Sequence, residues 1–336
     1  YALVRTTVKT QEHIRRCLQI SVIAAVVVAT ISILQVMDLL GVRALLTTLY
    51  VPLGHEEALA LPRASSTLSL PAATADLLIF NLVIALGMYF RERRNSGWYA
   101  VAAAIFVVGV FAAAEFSSAI GLLIAIVVVA FALRRPRLLV AMTPVAAFGI
   151  LAMWPIVANR LEGFASVHGL PASWIGRLHN LETYFWPELW SGPNMLLGVR
   201  PSARIPVSSQ ATGFVWIESG YTWLLWGGGI PLLLAFVFFT AVSFRTACTQ
   251  LRFGAAYTQV AALATLGALM VVVGLMVFDP HLTYRGSADC FFALLALTVA
   301  GRSRGDPSDV EPDSGNSAHN NSNTILQGRK TNARAI

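Results

Sequence analysis

"ADLLIFNLVIALGMYFRERRNSGWYAVAAAIFVVGVFAAAEFSSAIGLLIAIVVVAFALRRPR", residues 75–137, decides the fold. Three apolar runs follow one another, divided first by an arginine-rich connection, then by a short polar turn, and closed by a second arginine cluster. Lipid offers the backbone no hydrogen-bond partners, so an apolar run of roughly 20 residues reads as a helix that crosses it. The pattern continues on both sides, and eight spans are expected, at 18–39, 73–90, 98–115, 118–133, 138–157, 214–244, 257–278 and 288–300. With 56% hydrophobic and only 12% charged residues and a mean hydropathy of +0.67, a water-soluble domain is excluded, since its surface could not be built from this composition. The expected fold class is an all-α integral membrane protein of about eight transmembrane helices.

The charges give this fold an expected orientation. Arg15 and Arg16 precede the first span, Arg91, Arg93 and Arg94 follow the second, and Arg134, Arg135 and Arg137 follow the fourth. Arg245 and Arg252 follow the sixth, and Arg302 and Arg304 the eighth. Every second connection is basic, and basic connections stay in the cytoplasm, so both termini are expected inside a multi-pass protein of the cell membrane. The net charge of +7 then reports topology and gives no reason to expect nucleic acid. Residues 1–300 form the expected polytopic domain, with outward loops 41–72, 158–213 and 279–287. The polar stretch 301–336 reads as a disordered cytoplasmic tail. The opening "YALVRTTVKTQEHIRR" looks like a connection between spans, and an amino-terminal truncation is expected. Cys17, Cys248 and Cys290 suggest neither a disulfide framework nor a metal cluster.

Loops longer than a dozen residues tend to carry function, which directs attention to 158–213. Within it "PASWIGRLHNLETYFWPELW", residues 171–190, reads as an interfacial helix: Pro171 and Ser173 open it, Pro187 closes it, and Trp174, Leu178, Leu181 and Phe185 form an apolar stripe. Arg177 borders that stripe, and "GVRPSARIPVSSQATGFVWIESGY", residues 198–221, adds Arg200 and Arg204. Each arginine either snorkels toward lipid phosphate or holds a ligand. Several together suit a diphosphate, because the planar guanidinium binds phosphate oxygens in pairs and keeps its charge. Glu218, at the mouth of a span, is either a proton acceptor or the partner of Arg200 or Arg204. "FDPHLTYRGSAD", residues 278–289, supplies His281 as a rival base, with Arg285 beside it. No paired-aspartate metal motif and no phosphate-binding glycine loop is present, so the sequence names neither metal nor cofactor.

Several stretches together resemble the O-antigen polymerase and O-antigen ligase family. "LPRASSTLSLPAATADLLIFNLVIALG", 61–87, is similar to that family's outward arginine, hydroxyl pair and proline before a span. "FSSAIGLLIAIVVVAFALRR", 116–135, resembles its serine-rich turn and span, although Ala119 or its neighbours replace an arginine often found there. "GRLHNLETYFWPELWSGPNMLLGV", 176–199, resembles its Gly-Arg and helix, with a departure where Gly198 is followed by Arg200. "ESGYTWLLWGGGI", 218–230, is similar to the polar pair that opens the next span, where ligases show His-Asn in place of Glu218 and Ser219. The likeness runs from Arg63 to Ala300.

This resemblance implies a GT-C-like, metal-independent glycosyltransferase with its site facing outward. It would transfer an oligosaccharide from an undecaprenyl-diphosphate carrier to a hydroxyl on another glycan, surrounded by membrane lipid, and the missing His-Asn favours polymerase over ligase. A chain-length regulator is left open as a further partner. The expected site comprises Arg63, Arg177, Arg200, Arg204 and Arg285 on the diphosphate, and Glu218 or His281 as base. Tyr221 and Trp223 are expected either to stack on sugar or to anchor in the aromatic belt. A flippase for the same lipid-linked glycans is the alternative, and it would need ionisable residues or broken helices within the spans.

Overall fold

The computed structural model describes residues 1–50, 63–162, 164, 172–202, 204–207 and 213–300. The expected tail 301–336 and parts of the loops 41–72 and 158–213 lie outside the described residues. The chain is mostly helical. It runs through α1 (Ala2–Thr7), α2 (Gln11–Val36), α3 (Val42–Tyr50), α4 (Pro71–Arg91), α5 (Ser96–Ala113) and α6 (Phe116–Ala132). There follow α7 (Arg137–Ala152), α8 (Trp154–Glu162), α9 (Ala172–Asn180), a π-helical turn (Leu181–Phe185), α10 (Trp186–Leu189) and α11 (Asn194–Leu197). An antiparallel hairpin of β1 (Arg204–Pro206) and β2 (Phe214–Trp216) leads into α12 (Gly220–Phe253), α13 (Ala256–Leu275) and α14 (Ser287–Ala300). Among the described residues five helices, α2, α4, α5, α12 and α13, are long and apolar enough to cross a membrane, with a sixth crossing if α7 and α8 count as one. α6 and α14 are shorter apolar helices.

Each helix starts where the chain supplies a reason. Thr10 accepts the His13 N–H ahead of α2, Pro71 stands in the first turn of α4, where its missing N–H costs nothing, and Ser219 accepts the Thr222 N–H ahead of α12. α4 and α13 are apolar on every face and form the centre of the bundle, 83% and 78% buried, as helices hydrophobic all round must be. Gly87 faces Val260 and Gly267 faces Val83, so the two backbones approach closely. α2 and α12 keep one side outward, with Ile20, Ile23, Val27, Leu234, Val237 and Phe238 exposed.

The two ends of the bundle carry different chemistry. At the arginine-rich end Glu92 gathers Arg15 Nε at 2.6 Å and the hydroxyls of Tyr99 and Tyr257, each at 3.2 Å, which pins α2, α5 and α13 together. At the other end meet the starts of α4, α6, α12 and α14, the end of α13, and the α9 segment.

Three expectations change here. The span expected at 138–157 bends by 82° between α7 and α8, because Pro155 cannot continue the α7 hydrogen-bond ladder and the chain restarts at Trp154. The span expected from 214 begins at Gly220, since residues 214–216 pair with 204–206 in the hairpin. Within α12, Gly228 and Gly229 leave helical geometry, and the carbonyl of Trp226, freed by this break, accepts the N–H groups of Val199 and Arg200. The segment 171–190 also differs from one continuous helix, because Pro187 sits in the first turn of α10 rather than ending the element. Its stripe faces protein: Trp174 packs on Phe278, while Leu181 and Phe185 are buried with Trp226, Val215 and Ile217. Only Leu178 of the stripe is exposed.

Candidate functional site

The end of the bundle opposite Glu92 concentrates ionisable side chains drawn from every neighbouring element. α9 carries Arg177 across to the end of α13, where Nη1 lies 2.7 Å from Asp279 Oδ2. Its Nε lies 3.4 Å from Oε1 of Glu218, two residues ahead of α12. Arg63 pairs with Oε1 of Glu115, and Arg160 Nη2 stands 3.8 Å from Oε2 of the same carboxylate. Glu115 is the residue that caps α6, where the helix dipole favours its negative charge. Deeper in the bundle Asp76, one turn into α4, meets His281 from the turn between α13 and α14, Oδ2 to Nδ1 at 2.6 Å. Both side chains are almost fully enclosed, and Tyr284 sets its ring edge-on to the imidazole at 5.1 Å.

Burial and pairing compete at each of these groups. Burial lifts Glu218 above the usual carboxylate range, and Arg177 only partly reverses it. Asp279 is lifted in the same way, with Arg177 and His281 pulling it back. Burial opposes the Arg177 charge, but Asp279, Glu218 and Glu115 outweigh it and raise its pKa. For His281 burial favours the neutral ring, yet Asp76 and Asp279 more than compensate and move it above its ordinary value.

The structure divides the expected arginines into two groups. Arg63 and Arg177 belong to the cluster, but their charges are compensated by Glu115, Asp279 and Glu218, so they do not form a naked cationic clamp. Arg204 lies apart on the hairpin, and Arg200 just ahead of it. Arg204 covers the Trp216 ring at 4.0 Å and Phe214 at 5.0 Å; Arg200 lies 5.8 Å from the Trp226 ring and donates to the Arg204 carbonyl at 3.1 Å. Among the described residues neither pairs with a carboxylate, so Glu218 finds Arg177 and not Arg200 or Arg204. Arg285 is exposed beyond the His281 turn. The Tyr221 hydroxyl donates to the Val273 carbonyl at 2.7 Å, because a phenol packed between helices needs an acceptor, and the ring packs against the main apolar cluster. Trp223 is half-buried between the two apolar clusters of this end.

The sequence reading left out Arg160 and gave Glu115, Asp76 and Asp279 no part in the site. The signal was available, since an acid next to or inside an apolar run must find a cation or a proton. Asp76 and Glu115 are such acids.

No family model, curated protein or solved structure matches the chain. The chemistry of this end therefore rests on its own geometry. It offers two bases in different settings, Glu218 and His281, beside a cross-linked network of arginines and carboxylates. Two guanidiniums without a carboxylate partner among the described residues stand on and just ahead of the hairpin that runs into Glu218.

Proposed function

We propose that the protein is a membrane glycosyltransferase of the O-antigen polymerase or ligase kind, moving an oligosaccharide from a prenyl-diphosphate carrier to a hydroxyl of an acceptor glycan. The observation that carries this reading is the position of Arg204, on the hairpin whose second strand ends two residues before Glu218, and of Arg200 just ahead of that hairpin, both uncompensated among the described residues and braced on aromatic rings. Such forks suit a diphosphate and stabilise the charge that develops on it as a leaving group. The proton of the acceptor hydroxyl falls to one of the two bases, Glu218 or His281. Arg63, Arg160 and Arg177 hold the surrounding segments together through their carboxylates.

Counting α7 with α8 as one crossing, and α6 and α14 as crossings, gives eight spans. The arginine-rich end then faces the cytoplasm, and the site faces outward. A transporter of lipid-linked glycan is the second reading, favoured by the break at Gly228 and Gly229 and by the buried Asp76–His281 pair. Against it, the break is filled by the chain's own α11 and the residues after it.

Deleting the gene and sizing the lipid-linked and surface glycans tests both. Single repeats accumulating on the carrier are expected for the polymerase, free acceptor for the ligase, and glycan held at the cytoplasmic face for the transporter. Unchanged glycans would remove both readings.

A further inference from the structure

We propose that Asp76 is a positioning residue that fixes the tautomer of His281, so that His281 Nε2 is the atom that takes the proton of the acceptor hydroxyl. This assignment rests on the transferase reading and chooses between its two bases. A carboxylate oxygen that accepts from Nδ1 across the 2.6 Å contact between Asp76 Oδ2 and His281 fixes the proton of the neutral ring on that nitrogen. Nε2 is then left with its lone pair. It is buried and has no hydrogen-bond partner among the described residues.

Buried polar atoms are paired as a rule, and the exceptions here are not scattered. Of the five without a partner among the described residues, His281 Nε2, Asp76 Oδ1, Ser118 Oγ and Arg160 Nε belong to residues at this end of the bundle; the fifth is Thr240 Oγ1. Unmet donors and acceptors gathered at one end are what a hydroxyl-rich ligand satisfies. Glu218 is the weaker choice, because Arg177 engages it and a third of its side chain meets solvent. It is better placed to hold Arg177 than to receive a proton.

The step balances as follows. The acceptor oxygen bonds to the anomeric carbon while its proton passes to His281 Nε2. The bond from that carbon to the diphosphate oxygen breaks, and its electron pair leaves with the prenyl diphosphate. Asp76 stabilises the resulting imidazolium, which returns its proton to water. The charged and titratable groups facing the ring are Asp76 from α4, Arg177 from α9, and Asp279 and Tyr284 from its own connection.

The test uses the full chain in nanodiscs, with nitrogen-15-labelled histidine and a His281→Gln variant to assign the signal among six histidines. Above its midpoint, where the ring is neutral, wild-type His281 should show the Nδ1–H tautomer. Asp76→Asn should lower the His281 midpoint and reduce transfer by about 10²–10⁴-fold, the worth of a general base, with KM for the donor unchanged. Asp76→Glu, which restores the carboxylate, should recover most of the rate and so separates positioning from misfolding. An Nε2–H tautomer in wild type, or a midpoint unmoved by Asp76→Asn, overturns the proposal. So does transfer at the wild-type rate in His281→Gln, which leaves the transferase reading standing. A wild type with the expected tautomer and no transfer to any glycan acceptor overturns the transferase reading instead.

Discussion

Arg177 Nη1 lies 2.7 Å from Asp279 Oδ2, and this contact joins the segment after residue 171 to the end of α13. Nε of the same guanidinium reaches Glu218, so one side chain pairs with two carboxylates. Breaking a buried pair by removing one partner typically costs about 3–5 kcal/mol. Arg177→Ala should therefore lower thermal stability in detergent by that order and expose the α9 segment to protease. Arg177→Lys should fall between, because a compact ammonium cannot serve both acids at once. The double variant Arg177→Met with Asp279→Leu should be more stable than Arg177→Met alone, since it leaves one uncompensated carboxylate in place of two, while Asp279→Leu alone keeps the Arg177–Glu218 pair and should be the mildest. Equal stability of wild type and Arg177→Ala would mean that this contact does not tie the segment down.

The pH dependence of stability should run opposite to that of an ordinary ion-paired acid. Glu218 and Asp279 are raised above 4.5 and 3.8, and His281 above 6.5. A raised group binds its proton more tightly in the folded state, so its contribution is fully present below the unfolded value and is lost as pH rises through the folded one. For His281 the loss begins near pH 6.5. Melting temperature should fall from pH 6 to pH 8, and His281→Gln should flatten that part of the curve. A melting temperature that rises over this interval in wild type contradicts the assignment.

The helices were legible because apolar runs between arginine clusters have one physical solution in lipid. The pairing of Asp76 with His281 was not, since 205 residues separate them in the chain and nothing local marks them as neighbours. Glu115 presents the same difficulty: it looks like the end of a span, and only the packing shows that Arg63 and Arg160 both reach it. The hairpin was hidden because "FVWI" is apolar and only Glu218, Ser219 and Gly220 separate it from the apolar run of α12. Arginine type and loop pointed to this end of the bundle, but not to which guanidiniums are compensated, which depends on partners elsewhere in the sequence.

Gly229 gives a stability test that spares the charged cluster. Its φ of +63° belongs to the region that side chains rarely adopt, and an added Cβ would strike the Leu196 carbonyl and the Leu197 nitrogen, both backbone atoms. Gly229→Ala should push α11 away from the break in α12 and markedly reduce folded yield. Gly227→Ala is the control. There a Cβ meets only the end of Leu232 at 3.8 Å, so little change is expected. Equal yields of the two variants would show that α11 does not depend on the break.

Arg204 and Arg63 should fail in different ways, and the difference tests which arginines hold the ligand. Arg63 shares Glu115 with Arg160, so Arg63→Ala leaves a mostly enclosed carboxylate with one distant cation and should lower stability. Arg204 rests on Trp216 and Phe214 and compensates no carboxylate among the described residues. Arg204→Ala should keep the melting temperature within about 1 kcal/mol of wild-type stability, the usual worth of an exposed cation–π contact. Its effect should appear in binding of a short-chain prenyl diphosphate to the purified protein, weakened by about tenfold or more through loss of a charge-assisted pair of hydrogen bonds. Arg204→Lys keeps the charge but loses the fork, so it should bind nearer to Arg204→Ala than to wild type. Salt should weaken binding to wild type more steeply than to Arg204→Ala, because the variant holds the ligand with one fewer cation. If Arg204→Ala binds the prenyl diphosphate as tightly as wild type, while Arg63→Ala stays folded and loses it, the anion belongs to the cluster and the hairpin arginines have no part in holding it.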